Sequence, residues 1–148
     1  MTEQSASARY LLDLLQQYIT RYGKGMISVI NYPEITREKL KTYLDSLRIT
    51  LKRHGKAPVY LWRHEPDLRR YQLFLFTNAY FTHDLSEILP VITRLWAIHS
   101  NISFQIQSWC IADTGNINEV ANTLASLCWQ PRPLNASWHQ RMFGLSHL

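Results

Sequence analysis

Cysteine is scarce in this chain: among 148 residues only Cys110 and Cys128 occur, and no Cys-x-x-Cys or Cys/His pair stands at zinc spacing. This argues against a disulfide scaffold and a structural zinc site. Both cysteines fall in segments that read as a buried strand and a buried helix, so reduced core thiols are expected. Long apolar runs are also missing. The strongest, Leu73 to Phe76, is far too short to span a bilayer, and Met1-Thr-Glu-Gln-Ser5 lacks a basic region followed by an apolar stretch. The expectation is a cytoplasmic protein, in a bacterial host cell, with no membrane partner. Lysine is absent after Lys56 and tyrosine after Tyr80.

What is present suffices for an ordinary core, since 46% of residues are hydrophobic and the length suits one domain, residues 1–148. The net charge of +5 is unevenly placed. Residues 1–70 hold 13 Lys/Arg against 7 Asp/Glu, and residues 71–148 hold 3 against 4. A one-sided excess favours a polyanion through counterion release, although solvated helix faces are also rich in cations.

Leu11, Leu14, Leu15, Tyr18, Ile19 and Tyr22 recur at helical spacing before Gly23 and Gly25, predicting a helix over 6–22 within an N-terminal segment 1–25. Met26 to Tyr32 is β-branched and reads as a strand. A helix then starts near Glu34 and Thr36 and buries Leu40, Tyr43, Leu44, Leu47 and Leu51. Residues 58–65 and 70–77 predict two strands joined by the hairpin-length connection 66–69, at the centre of the sheet. Leu85, Ile88, Leu89, Ile92, Leu95 and Trp96 predict a helix with Pro90 near its start or at a kink. Ile102 to Trp109 alternates as a strand with one wet face. Asn116 and Glu119 predict a capping box for a last helix through Val120, Ala121, Leu124, Leu127 and Cys128. The fold class is α+β: a β-α-β-β-α-β core over 26–130 on an antiparallel sheet, with an extra helix at each end. Residues 131–148 read as an irregular tail able to add a short edge strand.

Three segments carry a family resemblance. Val59-Tyr-Leu-Trp-Arg-His-Glu65 resembles an aromatic strand ending in Arg and Glu. Arg70-Tyr-Gln-Leu-Phe-Leu-Phe-Thr-Asn-Ala-Tyr80 is similar to a His-Tyr-His-hydrophobic strand running into an Asn/Asp-Ala-Tyr turn. Gln140-Arg-Met-Phe-Gly-Leu-Ser146 resembles a closing Arg-x-Phe-Gly-x-Ser. In this order they resemble the YagK/YfjJ family of inovirus-type replication proteins, of phages, satellites and prophage remnants, across residues 26–148. The resemblance implies a ferredoxin-like sheet of HUH-endonuclease type, in which two histidines at i and i+2 on a strand share one metal and a helix tyrosine attacks a DNA phosphate.

The chain departs from that pattern at each catalytic position. Arg70 and Gln72 stand where the two histidines belong, and arginine has no lone pair to offer a metal. No two of the six histidines are two residues apart, and Leu127 or a neighbour occupies the tyrosine position. Ser126 and Cys128 have no evident base beside them, so they read as ordinary helix residues. Glu65, the residue closest to a remnant ligand, is expected to pair with Arg70 across the hairpin. His64 reads as a strand-end polar residue rather than a base.

Neither metal, cofactor nor catalysis is expected. Arg63, Arg70 and Gln72 are expected on an open sheet face with Leu61 and Phe74, and Lys41, Arg48 and Lys52 are expected to extend a phosphate track. Cations beside an aromatic suit single-stranded or hairpin DNA, or a structured RNA. Individually, Phe74, Phe76, Trp62 and Trp109 read as core. An inactive HUH-like protein that regulates replication or shields DNA is the leading expectation. A protein inhibitor of a host defence or nucleic-acid-processing complex is the second, and a residual nicking enzyme the third.

Overall fold

The computed structural model describes residues 6–79, 84–128 and 143–145. Helix α1 (Ala6–Tyr22) leads into strand β1 (Lys24–Pro33), helix α2 (Arg37–Arg53), strands β2 (Val59–Glu65) and β3 (Arg70–Asn78), helix α3 (Leu89–Ala97), strand β4 (Gln105–Asp113) and helix α4 (Ile117–Cys128). A short strand β5 (Phe143–Leu145) closes the order. All pairings are antiparallel, in the order β4-β1-β3-β2-β5. β5 adds to the outer edge of β2, and the other tail residues of 131–148 lie outside the described residues.

The period-2 alternation of β3 explains why helices cover both faces of this sheet. Tyr71, Leu73 and Leu75 join the core beneath α2 and α3, with Leu44, Leu47, Ile92 and Trp96. Phe74 and Phe76 point the other way, into a second core with Leu11, Leu15 and Tyr18 of α1 and Leu124 of α4. α1 stops at Gly23, whose φ of 77° is a left-handed conformation natural to glycine. Gly25 follows where a Cβ would lie 2.9 Å from the Tyr18 ring, so α1 packs tightly on the start of β1.

The structure decides one local expectation and changes two. Pro90 sits in the first turn of α3, after a separate 3₁₀ turn at Leu85–Glu87, so it starts the helix and does not kink it. β4 begins at Gln105, three residues after the expected start, and Trp109 is 43% exposed. Asn116 does stand before α4, its carbonyl accepting the Val120 N–H, but its side chain turns back to the strand, accepting from Asp113 N at 2.8 Å and donating to Ile111 O at 2.9 Å. That side chain anchors the β4–α4 turn.

Beneath α2 the hydroxyls of Tyr32 and Tyr43 share a hydrogen bond of 2.6 Å, and both are buried. Burial raises the pKa of these two phenols and of Tyr18 above the ordinary tyrosine value, because each phenolate would lose its hydration. The unfolded chain gives up these protons near pH 10.0 while the folded chain keeps them. Stability is therefore full below that pH and declines above it, by about 1.4 kcal/mol per tyrosine per pH unit. Urea midpoints compared at about pH 9 and about pH 11 should show a marked fall. Equal midpoints would contradict the burial of these phenols.

Candidate nucleic-acid interface

Cross-strand register places Arg63 opposite Gln72 and Glu65 opposite Arg70, on the same face as Leu61 and Phe74. The expected ion pair is present: Arg70 Nε donates to Glu65 Oε1 at 2.8 Å. The face is not open, however. Leu61 and Phe74 are fully buried beneath α1, so neither can act as a stacking platform. Gln72 is 1% exposed, and the Glu65 and Arg70 side chains are 2% and 27% exposed. The expectation that positions 70 and 72 emerge together into solvent fails: Gln72 is buried, and Arg70 is turned to the buried Glu65 carboxylate.

From the buried Gln72 a chain of polar side chains runs out to the exposed Gln107. Arg63 Nη1 donates to Gln72 Oε1 at 3.2 Å, and Gln72 Nε2 donates to Gln107 Oε1 at 3.0 Å. Asn31 Nδ2 donates to the same Gln107 oxygen at 3.1 Å. Gln107 reaches this position through a bulge: Val29 faces Ser108 while Ile30 faces Ile106, leaving Gln107 as the extra residue that is turned onto this face. The network crosses β2, β3, β1 and β4. Two acceptors, Glu65 Oε2 and Asn31 Oδ1, are buried with no hydrogen-bond partner.

The other positions singled out by the sequence lie on α4, β4 and β2. α4 lies on this face, with Leu127 partly buried against the α1 core and the Ser126 hydroxyl bonded back to Thr123 O at 2.7 Å. Cys110 is free and half-buried, its thiol pushed up by desolvation; the side chain of Cys128 lies outside the described residues. Among the described residues no three His, Cys, Asp or Glu side chains converge. His64 points to the opposite face from Glu65. It stacks on Tyr71 with ring centroids 4.7 Å apart, and its Nδ1 lies 3.3 Å from Arg37 Nη2.

Arg37 leads to a feature that sequence reasoning missed. Its guanidinium lies 4.9 Å over the Trp62 ring and 5.6 Å from the Tyr71 ring, while Nε donates to the Tyr71 hydroxyl at 3.1 Å. Beside this stack a cavity of about 300 Å³ opens between α2 and β2, lined by Arg37, Lys41, Asp45, Tyr60 and Trp62 among others. Arg37, Lys41, Asp45, Arg48 and Lys52 stand three or four residues apart in succession, which puts them along one ridge of α2 beside its buried face. Lys41 and Lys52 are exposed and Arg48 is partly so.

Lys41, Arg48 and Lys52 thus do not extend the surface holding Arg63, Arg70 and Gln72. The sheet lies between the two groups, and of these three cations Lys41 lines the α2–β2 cavity. A signal is present in the sequence: Tyr60, Trp62 and His64 alternate onto one strand face, and Trp62, which reads as core, is only partly buried there. No family model, curated protein or solved structure matches the chain.

Proposed function

We propose that this chain is an inactive HUH-like protein of a phage, satellite or prophage, and that it holds single-stranded or hairpin nucleic acid along the α2–β2 groove. The β-α-β-β-α-β order, with β4-β1-β3-β2 as its strand order, supports a ferredoxin-like frame. Arginine and glutamine at the metal positions, engaged with Glu65, Arg63 and Gln107, support a site given over to structure. Labelled single-stranded DNA with magnesium or manganese is expected to show neither nicking nor a covalent adduct.

The observation that carries the reading is the Arg37–Trp62 stack beside a cationic helix ridge. Phosphates have Lys41, Arg48 and Lys52, and bases have an aromatic ring and a guanidinium plane on which to stack. Holding a strand or hairpin without cutting it would regulate replication or shield the DNA. Fluorescence anisotropy with a labelled single strand, titrated across salt, tests this. Each lost phosphate contact removes about 0.7 from the slope of log affinity against log salt, so Lys41/Arg48/Lys52→Ala should flatten the slope by about 2. An unchanged slope, or no binding by the parent chain, overturns the reading.

One observation favours a protein partner as a second reading. Ile98, Ile102 and Trp109, at 71%, 66% and 43% exposure, lie along the α3–β4 segment, and β4 ends the sheet on that side. A pull-down from host cells that retains a protein after nuclease treatment would favour an inhibitor of a host complex.

A further inference from the structure

Along the basic ridge of α2, one residue has the wrong sign for a phosphate track. Asp45 stands between Lys41 and Arg48 and lines the same cavity as Arg37 and Trp62. Among the described residues no hydrogen bond or ion pair engages its carboxylate. A phosphate at this point would be repelled, whereas one at Lys41 or Arg48 would be held. The charge order along the groove therefore reads as phosphate, base edge, phosphate.

Resting on the nucleic-acid reading above, we infer that the α2–β2 cavity is a base pocket selective for guanine, with Asp45 reading the base edge. A carboxylate only accepts hydrogen bonds, through two oxygens side by side. Guanine is the base whose Watson–Crick edge presents two adjacent donors, N1–H and the 2-amino group. Adenine and cytosine offer one amino group beside an acceptor, and thymine or uracil offers one N–H between two carbonyls. Each of those pairings would set an acceptor against the carboxylate. The Arg37–Trp62 stack supplies the platform for the ring, and Lys41 and Arg48 lie on either side of Asp45 along the ridge to receive the flanking phosphates. The cavity, about 300 Å³, is at the lower end of the range for small-ligand sites and suits a single base better than a paired one.

The test uses the full chain and short labelled thymidine oligonucleotides carrying one central guanine, adenine or cytosine, with an unsubstituted thymidine control, in anisotropy titrations. A bidentate contact predicts that the guanine strand binds about tenfold tighter than the others. Asp45→Asn keeps the size of the side chain and removes one acceptor, so it should abolish that difference while leaving affinity for the thymidine control equal or stronger. A thermal melt confirms that the variant is folded. Equal binding of all four strands by the parent chain, or a guanine preference that survives in Asp45→Asn, overturns the pocket assignment and leaves the nucleic-acid reading standing. Failure of every strand to bind overturns both.

Discussion

Arg70→Ala is expected to destabilise the fold by about 3–5 kcal/mol, whatever it does to binding. The Glu65 side chain is 2% exposed, one of its oxygens is held by Arg70 at 2.8 Å, and the other has no partner. Removing the guanidinium leaves a buried carboxylate with no compensating charge, the costliest way to break such a pair. The sequence alone expects Arg70→Ala and Arg63→Ala to weaken polyanion binding without unfolding the domain; the buried carboxylate overturns this for Arg70. Glu65→Gln/Arg70→Gln should recover most of the loss, because both charges go together and the two amides can hydrogen-bond. Urea unfolding of the single and double variants measures this as a coupling energy. A stability of Arg70→Ala within about 1 kcal/mol of the parent would mean that Glu65 is hydrated, and that this face is open after all.

Phe74→Ala is expected to cost a further, independently measurable 3–5 kcal/mol or thereabouts, as for other large-to-small changes at a filled core position. Phe74 is fully buried among Leu61, Val29 and the apolar side of α1, and the cavity left by its ring has no ready filler because cross-strand neighbours are fixed by the sheet register. Nucleic-acid affinity of the remaining folded fraction should be unchanged. The contrast matters, since a stacking role for Phe74 predicts the reverse: near-parental stability and weakened binding. Thermal melts and anisotropy on the same preparation separate the two.

The elements were largely legible because their periodicities were strong. The Leu11 to Tyr22 series marks α1 at its observed bounds, and the Glu65–Arg70 pair followed from hairpin length alone. What a single strand cannot reveal is whether its second face is covered. A glutamine on a strand is usually wet; here Gln72 is buried between Arg63 and Gln107, and Gln107, distant in sequence, reaches it beside the bulge opposite Val29 and Ile30. The groove was missed for the converse reason. Trp62 is typical of a core residue, but β2 lies beside the flank of α2 where Arg37 and Lys41 emerge, so its ring is only partly covered and carries a guanidinium. The cation excess of residues 1–70 lies in the first half of the chain, but a charge count carries no sign of which side of the sheet each cation occupies.

Photocrosslinking locates the bound strand most directly. A single strand carrying a photoreactive thymidine analogue is irradiated with the protein, and the modified peptides are identified by mass spectrometry. The groove predicts adducts on β2 at Tyr60 or Trp62 and on α2 between Arg37 and Lys52. Adducts confined to α1, α4 or the α3–β4 segment would contradict it.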